Sequence, residues 1–213
     1  MMIGDTVTAL LSRLEGASGM RDEIERVRIE LNRLQGIGGK PVPQFGALLN
    51  DQELVAAAAN FDFTNIPQTY KHLLGIANLR GDTAATTVGQ HLRLNNVSSA
   101  NYYDERVAAT AATPGAGENL AATFAYLGAT AAATATANLT GKVFILIPDY
   151  QETVRMPGGI YLSFYQIALT SGNVAIVAGG FTLNVAGAIN RITLTPSAGN
   201  WDIGSRLTLY GLG

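Results

Sequence analysis

The chain reads as mainly β: an antiparallel, jelly-roll-like β-sandwich head preceded by a short N-terminal α-helical coiled-coil stem. Three observations predict this. Apolar residues at Met20, Ile24, Val27, Leu31 and Leu34 are spaced four, three, four and three, one narrow helical seam. The stretch Gly36-Ile-Gly-Gly-Lys-Pro-Val-Pro43 then ends any helix. Beyond Phe45 the apolar period falls to two, in short segments parted by turn residues, without alternating helices.

Residues 1–15 carry a second, weaker seam at Ile3, Val7, Leu10 and Leu14, with Asp5 or Thr6 as N-cap. It is out of phase with the main seam, and Gly16 and Gly19 sit where the phase changes. A separate helix anchoring the stem to something larger fits this pattern; a frayed continuation of the coil is the competing reading.

Residues 16–35 form the stem. Its flanks are charged, and Glu23 (a g position) faces Arg28 (the following e position) across chains in a parallel coil. A stripe of two positions in seven is too narrow for a helix lying on a globular core. The simplest partner is a second copy; the alternative is a surface helix on its own domain. Ile24 and Leu31 at a, with Met20, Val27 and Leu34 at d, allow two to four chains. Met20–Leu34 rises only about 22 Å, so the stem needs support from the head. Residues 36–44 are the linker and 45–213 the head.

Candidate strands in the head are Leu54–Ala58, Asn60–Thr64, Leu73–Leu79, Gln90–Leu94, Tyr102–Ala108, Leu120–Tyr126, Ala131–Asn138, Lys142–Ile147, Ile160–Ala168, Val174–Ala178, Ile189–Thr195 and Arg206–Tyr210. Between them lie turn signals, among them Gly81-Asp82, Asn95-Asn96, Thr113-Pro-Gly-Ala-Gly117, Pro157-Gly-Gly159, Ser171-Gly-Asn173, Gly179-Gly180 and Ser197-Ala-Gly-Asn200. Leu162, Phe164, Gln166 and Ala168 against Tyr161, Tyr165 and Ile167 give no clean polar face. That strand is therefore expected to be covered on both sides, within the head or at a subunit interface. The alternating Ala and Thr of Ala129–Ala137 read as a strand of small side chains.

Composition limits the function classes. At 213 residues there is room for one good-sized domain plus an appendage. Hydrophobic residues make up 47% and charged ones 14%, which argues against disorder. Net charge is −2 with no basic run outside the stem, so neither nucleic acid nor an anionic membrane is an expected partner. The absence of cysteine excludes disulfides and thiolate metal sites. No signal peptide is read in Met1–Leu14, and Val143–Ile147 stops at Pro148, far short of a membrane span. A soluble protein is expected.

Three phrases resemble the β-sandwich head of many tailed-bacteriophage virion proteins. Asn60-Phe-Asp-Phe-Thr-Asn-Ile-Pro-Gln-Thr-Tyr-Lys-His-Leu-Leu74 is similar to that family's phrase leading into its first long strand. Arg93-Leu-Asn-Asn-Val-Ser-Ser-Ala-Asn-Tyr102 resembles the next phrase, departing at Asn96-Val97-Ser98 where the family commonly has Gly-Asp. Ile192 to Leu212, with Ser205-Arg206 and Leu209-Tyr210-Gly211, is similar to the terminal hairpin closing on Ser-Arg-x-x-Leu-Tyr-Gly. The resemblance covers about Leu54 to the C-terminus. It implies a virion surface protein, assembled in the host cytoplasm, found on tail fibres, tail tips or head appendages, and habitually a homotrimer. Physics gives the same phrases folding reasons: Ile66-Pro67 fixes an extended turn, Trp201 caps a hairpin, and Leu207, Leu209 and Leu212 are expected to face a core.

Little points to chemistry. His72 and His91 have no ligand spacing, and no nucleophile elbow is present. Asp149, Glu152, Asp104, Glu105 and Asp202 are the carboxylates from which a glycosidase pair would come, and Asp104-Glu105 reads as a solvated pair. No enzyme activity and no cofactor are expected. Asp82, Asn95, Asn96, Asn101 and Asp104 crowd loop ends with oxygen ligands, a cation site or, more simply, Asx turns. For receptor or glycan contact the candidates are Tyr102, Tyr103, Tyr150 and Trp201, with core packing as the alternative.

The expectation is thus a non-enzymatic phage virion structural protein. Its partners would be itself, other tail or capsid proteins through residues 1–15, and a host-surface glycan or protein. The competing readings are a head fibre or capsid decoration protein and, more remotely, a cellular carbohydrate-binding module.

Overall fold

Alternation of inward and outward side chains builds the sheets. In Gly141–Ile147, Val143, Ile145 and Ile147 turn inward and are buried, while Lys142 and Phe144 turn outward. The computed structural model describes residues 46–111, 113–169 and 174–213. The expected anchoring helix, stem and linker lie outside the described residues.

Twelve strands are present among the described residues: β1 (Ala47–Glu53), β2 (Phe61–Phe63), β3 (His72–Leu79), β4 (Thr87–Leu94), β5 (Tyr102–Thr110), β6 (Thr113–Ala122), β7 (Ala125–Ala131), β8 (Gly141–Ile147), β9 (Gly158–Gln166), β10 (Val174–Leu183), β11 (Ile192–Pro196) and β12 (Arg206–Leu212). They form an eight-stranded sheet, β1-β12-β3-β8-β9-β10-β5-β6, and a four-stranded sheet, β2-β11-β4-β7. Every paired strand runs antiparallel to its neighbour. The protein is a mainly β sandwich, as its alternation predicts.

The core lies between the sheets. Leu73, Leu79, Ile145, Ile147, Leu207 and Leu209 from the large sheet meet Phe61, Phe63, Leu92, Leu94, Leu127, Ile192 and Leu194 from the small one. Burying a large apolar side chain contributes roughly 1.5–3 kcal/mol, so this layer holds the sandwich together. Two hairpins, β5–β6 and β9–β10, extend the large sheet beyond β8.

The family-like phrases are joints of this sandwich. Ile66 is buried, and the Gln68 side chain donates from Nε2 to the Ile66 and Ile189 carbonyls at 2.9 Å each. Ser205 is buried against Arg80, and Trp201 bridges Ala58 and Gly81. Gly211 lies against the Tyr70 ring, which leaves no room for a β-carbon.

Several segments depart from expectation. The strand expected at Leu54–Ala58 runs instead over Ala47–Glu53, because polar Asp51 is held by Arg206 and Thr208 on β12. The expected Leu120–Tyr126 strand is divided between β6 and β7. The turn expected at Thr113–Gly117 is part of β6, where an edge strand tolerates Pro114. The turn expected at Gly179-Gly180 lies inside β10. Finally, the strand expected at Ala131–Asn138 is a loop after Ala131. The Arg80 guanidinium gathers it by donating to the carbonyls of Ala133, Ala135, Thr136 and Leu139.

Candidate functional site

Three of the four aromatic contact candidates are spent inside the fold. Trp201, Tyr102 and Tyr150 are each fully buried. Trp201 donates from Nε1 to the Leu194 carbonyl at 2.9 Å. The Tyr102 hydroxyl accepts the Leu94 N–H at 2.8 Å and lies 3.3 Å from the Leu94 and Val97 carbonyls, pinning the β4–β5 turn. The Tyr150 hydroxyl donates to the Pro67 carbonyl. Burial pushes both of these hydroxyls above the ordinary tyrosine pKa. Tyr103 alone faces solvent, 39% exposed on the outer side of β5. Contact with a ligand through Tyr102, Tyr150 or Trp201 is thereby corrected to packing.

Asp82, Asn95 and Asn101 of the oxygen-rich loop residues are likewise taken up by neighbouring groups of the fold. Asp82 accepts the Asn200 N–H at 2.7 Å and its side-chain amide at 2.9 Å, which hold the carboxyl below its usual range. Asn95 Oδ1 accepts the N–H groups of Asn190 and Arg191. The Asn101 side-chain amide donates to Ser99 Oγ at 2.6 Å. Asn95 and Asn96 adopt positive φ, the left-handed conformation that asparagine tolerates in tight turns. No group of three or more metal-ligating side chains occurs among the described residues.

Asp104, expected beside Glu105 in solvent, is instead buried. It accepts from the Arg106 guanidinium at 2.9 Å, from the Asn119 amide at 3.0 Å, and from the Tyr126 N–H at 3.1 Å. Arg106 in turn lies 4.6 Å from the centre of the Tyr126 ring. This polar knot fastens the β5–β6 hairpin to β7. Of the other carboxylates, Glu152 accepts the N–H groups of Thr153 and Val154, and Asp149 lies 3.8 Å from His72.

The feature that stands out is the outer face of β8, β9, β10 and β5. Register arranges it in three rows across those strands. Lys142, Phe164, Ile176 and Ala109 form the first row; Phe144, Leu162, Ala178 and Val107 the second; Leu146, Ile160, Gly180 and Glu105 the third. Phe144 (47%), Ile160 (61%), Leu162 (44%), Phe164 (43%), Ile176 (46%) and Val107 (63%) are all exposed. Charge is confined to two diagonal corners. Lys142 stands at one, and Glu105 directly opposite Glu118 of β6 at the other.

The lack of a polar face on β9 is legible in the sequence. Phe144, Ile176 and Val107 are not among the residues that the sequence marks, although Phe144 and Leu146 alternate within their strand and carry the same signal. The stem residues Met20, Ile24, Val27, Leu31, Leu34, Glu23 and Arg28 and the anchoring residues Ile3, Val7, Leu10 and Leu14 lie outside the described residues. No family model, no curated protein and no solved structure matches this chain.

Proposed function

We propose that the protein is a non-enzymatic structural component of a tailed-bacteriophage virion. It would be a homotrimeric fibre-like appendage displaying β-sandwich heads for attachment to the host surface. The observation that carries this reading is the use to which the family-like phrases are put. Ser205, Arg206, Gly211, Trp201, Tyr102 and Ile66 all act as joints of the sandwich. The strand order supports it too. With the β5–β6 and β9–β10 hairpins set aside, the chain crosses between β1-β12-β3-β8 and β2-β11-β4-β7 at every step except β4 to β7, as an eight-stranded jelly roll does.

The mechanism is display. Three heads on one stem present weak surface sites at high effective concentration, so a second head engages far more readily than the first. Two measurements test the reading. Light scattering on the full chain should give the mass of three copies; a single-copy mass overturns it. Antibody labelling of intact particles should mark the tail. Label on the capsid instead assigns a head fibre or decoration protein, and particles that carry no label remove the virion reading.

A further inference from the structure

The apolar rows on β8, β9, β10 and β5 are covered by nothing among the described residues. Their exposed side chains present on the order of 600 Å² of apolar surface, at the top of the range that monomers leave uncovered. The relief of the face is uneven. Ile160, Leu162 and Phe164 form a ridge along β9, and opposite them on β10 stand Gly180, Ala178 and Ile176. Ala178 and Gly180 leave a trough beside the ridge.

The glycine at 180 has no internal cause. A β-carbon there would meet only the Gly159 carbonyl at 3.5 Å, an ordinary contact, and the backbone is not left-handed. Gly179 is different: its β-carbon would strike the Glu105 carbonyl and the Tyr161 hydroxyl at 2.6 Å. A bare outward position within a strand leaves room for close approach from outside the head. The charges point the same way. Glu105 and Glu118 face each other across the β5–β6 pair, a destabilising arrangement, and neither forms a salt bridge among the described residues. Lys142 at the far corner also lacks a carboxylate partner there and donates to Thr140 Oγ1.

We propose that this face packs against the same face of the neighbouring copies around the oligomer axis, each head contacting the next in turn. The β9 ridge of one head enters the β10 trough of the next, and Lys142 of one meets Glu105 and Glu118 of the other. The inference rests on the homo-oligomeric reading above and names the surface through which the heads meet. A second copy is the occupant because the face supplies its own complement in shape and charge. The 45 residues before Gly46 also carry the heptad seam expected to gather copies. A patch of this size falls short of the roughly 800 Å² per partner typical of a self-sufficient interface, so docking depends on the concentration the stem provides.

The chain has no cysteine, which makes a direct test clean. Leu162→Cys in the full chain reports on the face, and Val55→Cys, 92% exposed and away from it, is the reference. Maleimide labelling is timed under reducing conditions, with the mass of each sample measured by light scattering. The expected result is an oligomer in which Leu162→Cys reacts roughly tenfold or more slower than the reference. That exceeds the twofold difference implied by 44% against 92% exposure. Adding Gly180→Leu, which fills the trough, should return the rate to within about twofold of the reference while the head keeps its cooperative unfolding transition. Lys142→Glu should do the same, and Lys142→Glu with Glu105→Lys and Glu118→Lys should restore protection. An oligomer whose Leu162→Cys labels as fast as exposure predicts overturns the docking while leaving the assembly standing. Protection that survives both Gly180→Leu and Lys142→Glu also overturns it. A single-copy mass overturns both readings.

Discussion

Ser205 Oγ clasps both backbone groups of Arg80, accepting its N–H at 3.1 Å and donating to its carbonyl at 3.2 Å. The clasp ties the start of β12 to the end of β3 from 125 residues away in sequence. Ser205 is 2% exposed, so water cannot replace it. Ser205→Ala should therefore cost about 1–3 kcal/mol, the penalty for leaving buried backbone groups unsatisfied. Urea unfolding checks it: the midpoint falls while the slope stays the same.

Asp104 is a second hinge of stability, at the other end of the large sheet. Its carboxylate has lost its water and gained Arg106, Asn119 and the Tyr126 N–H. Asp104→Ala removes the buried member of the pair and leaves the part-exposed Arg106 over the Tyr126 ring. The expected loss is about 1–3 kcal/mol, because Arg106 keeps part of its water while the Tyr126 N–H and Asn119 lose their acceptor. Because the knot fastens the β5–β6 hairpin, amide exchange in β6 should quicken more than in β3. Equal quickening in both strands would show that the knot serves the whole sandwich instead.

His91 sets a pH dependence. Burial against Phe124, stacked at 3.5 Å, and then the nearby Arg93 charge hold its pKa down to about 4. The unfolded chain binds a proton near pH 6.5 and the folded one only near 4. Between those values the unfolded state carries more protons, so stability falls as pH drops through that window. His91→Phe, which keeps the stacked ring, should flatten the fall. A separate loss should occur at lower pH, where Asp51, held at about 2 chiefly by the Arg206 guanidinium, becomes protonated. Unfolding midpoints measured from pH 7.5 to 2.5 separate the two, since His91→Phe should leave the lower one intact.

The difference between what can and cannot be read from the sequence lies in where each residue's partner sits. Lys142–Ile147 and Arg206–Tyr210 are legible because their inward residues alternate and the core answers alternation directly. β1 is hidden because Asn50-Asp51-Gln52-Glu53 has no apolar period. It is held by Asp51 reaching Arg206 and Thr208, some 155 residues on. The Ala-Thr run beyond Ala131 looks like a strand until Arg80 is seen collecting its carbonyls. Tyr102, Tyr150 and Trp201 carry the same letters as a binding patch. Only the carbonyls they touch (Leu94, Pro67 and Leu194) reveal them as joints. The outer face is half legible: β9 announces it, but the rows need the register of four strands.

Gly179 and Gly180 are adjacent and identical, read as one turn in the sequence, and should respond to substitution in opposite ways. Gly179→Ala drives a methyl into the Glu105 carbonyl and the Tyr161 hydroxyl, each at 2.6 Å. The backbone oxygen belongs to a paired strand and cannot swing away, so the sheet must shift, at about 1–3 kcal/mol. Gly180→Ala points outward into ordinary contact distance and removes glycine's excess freedom in the unfolded chain. It should be neutral or stabilise by up to about 1 kcal/mol. Thermal unfolding of the two variants side by side decides the matter. Similar losses in both would mean that position 180 is crowded from within the head, and the bare trough would then need no second copy to explain it.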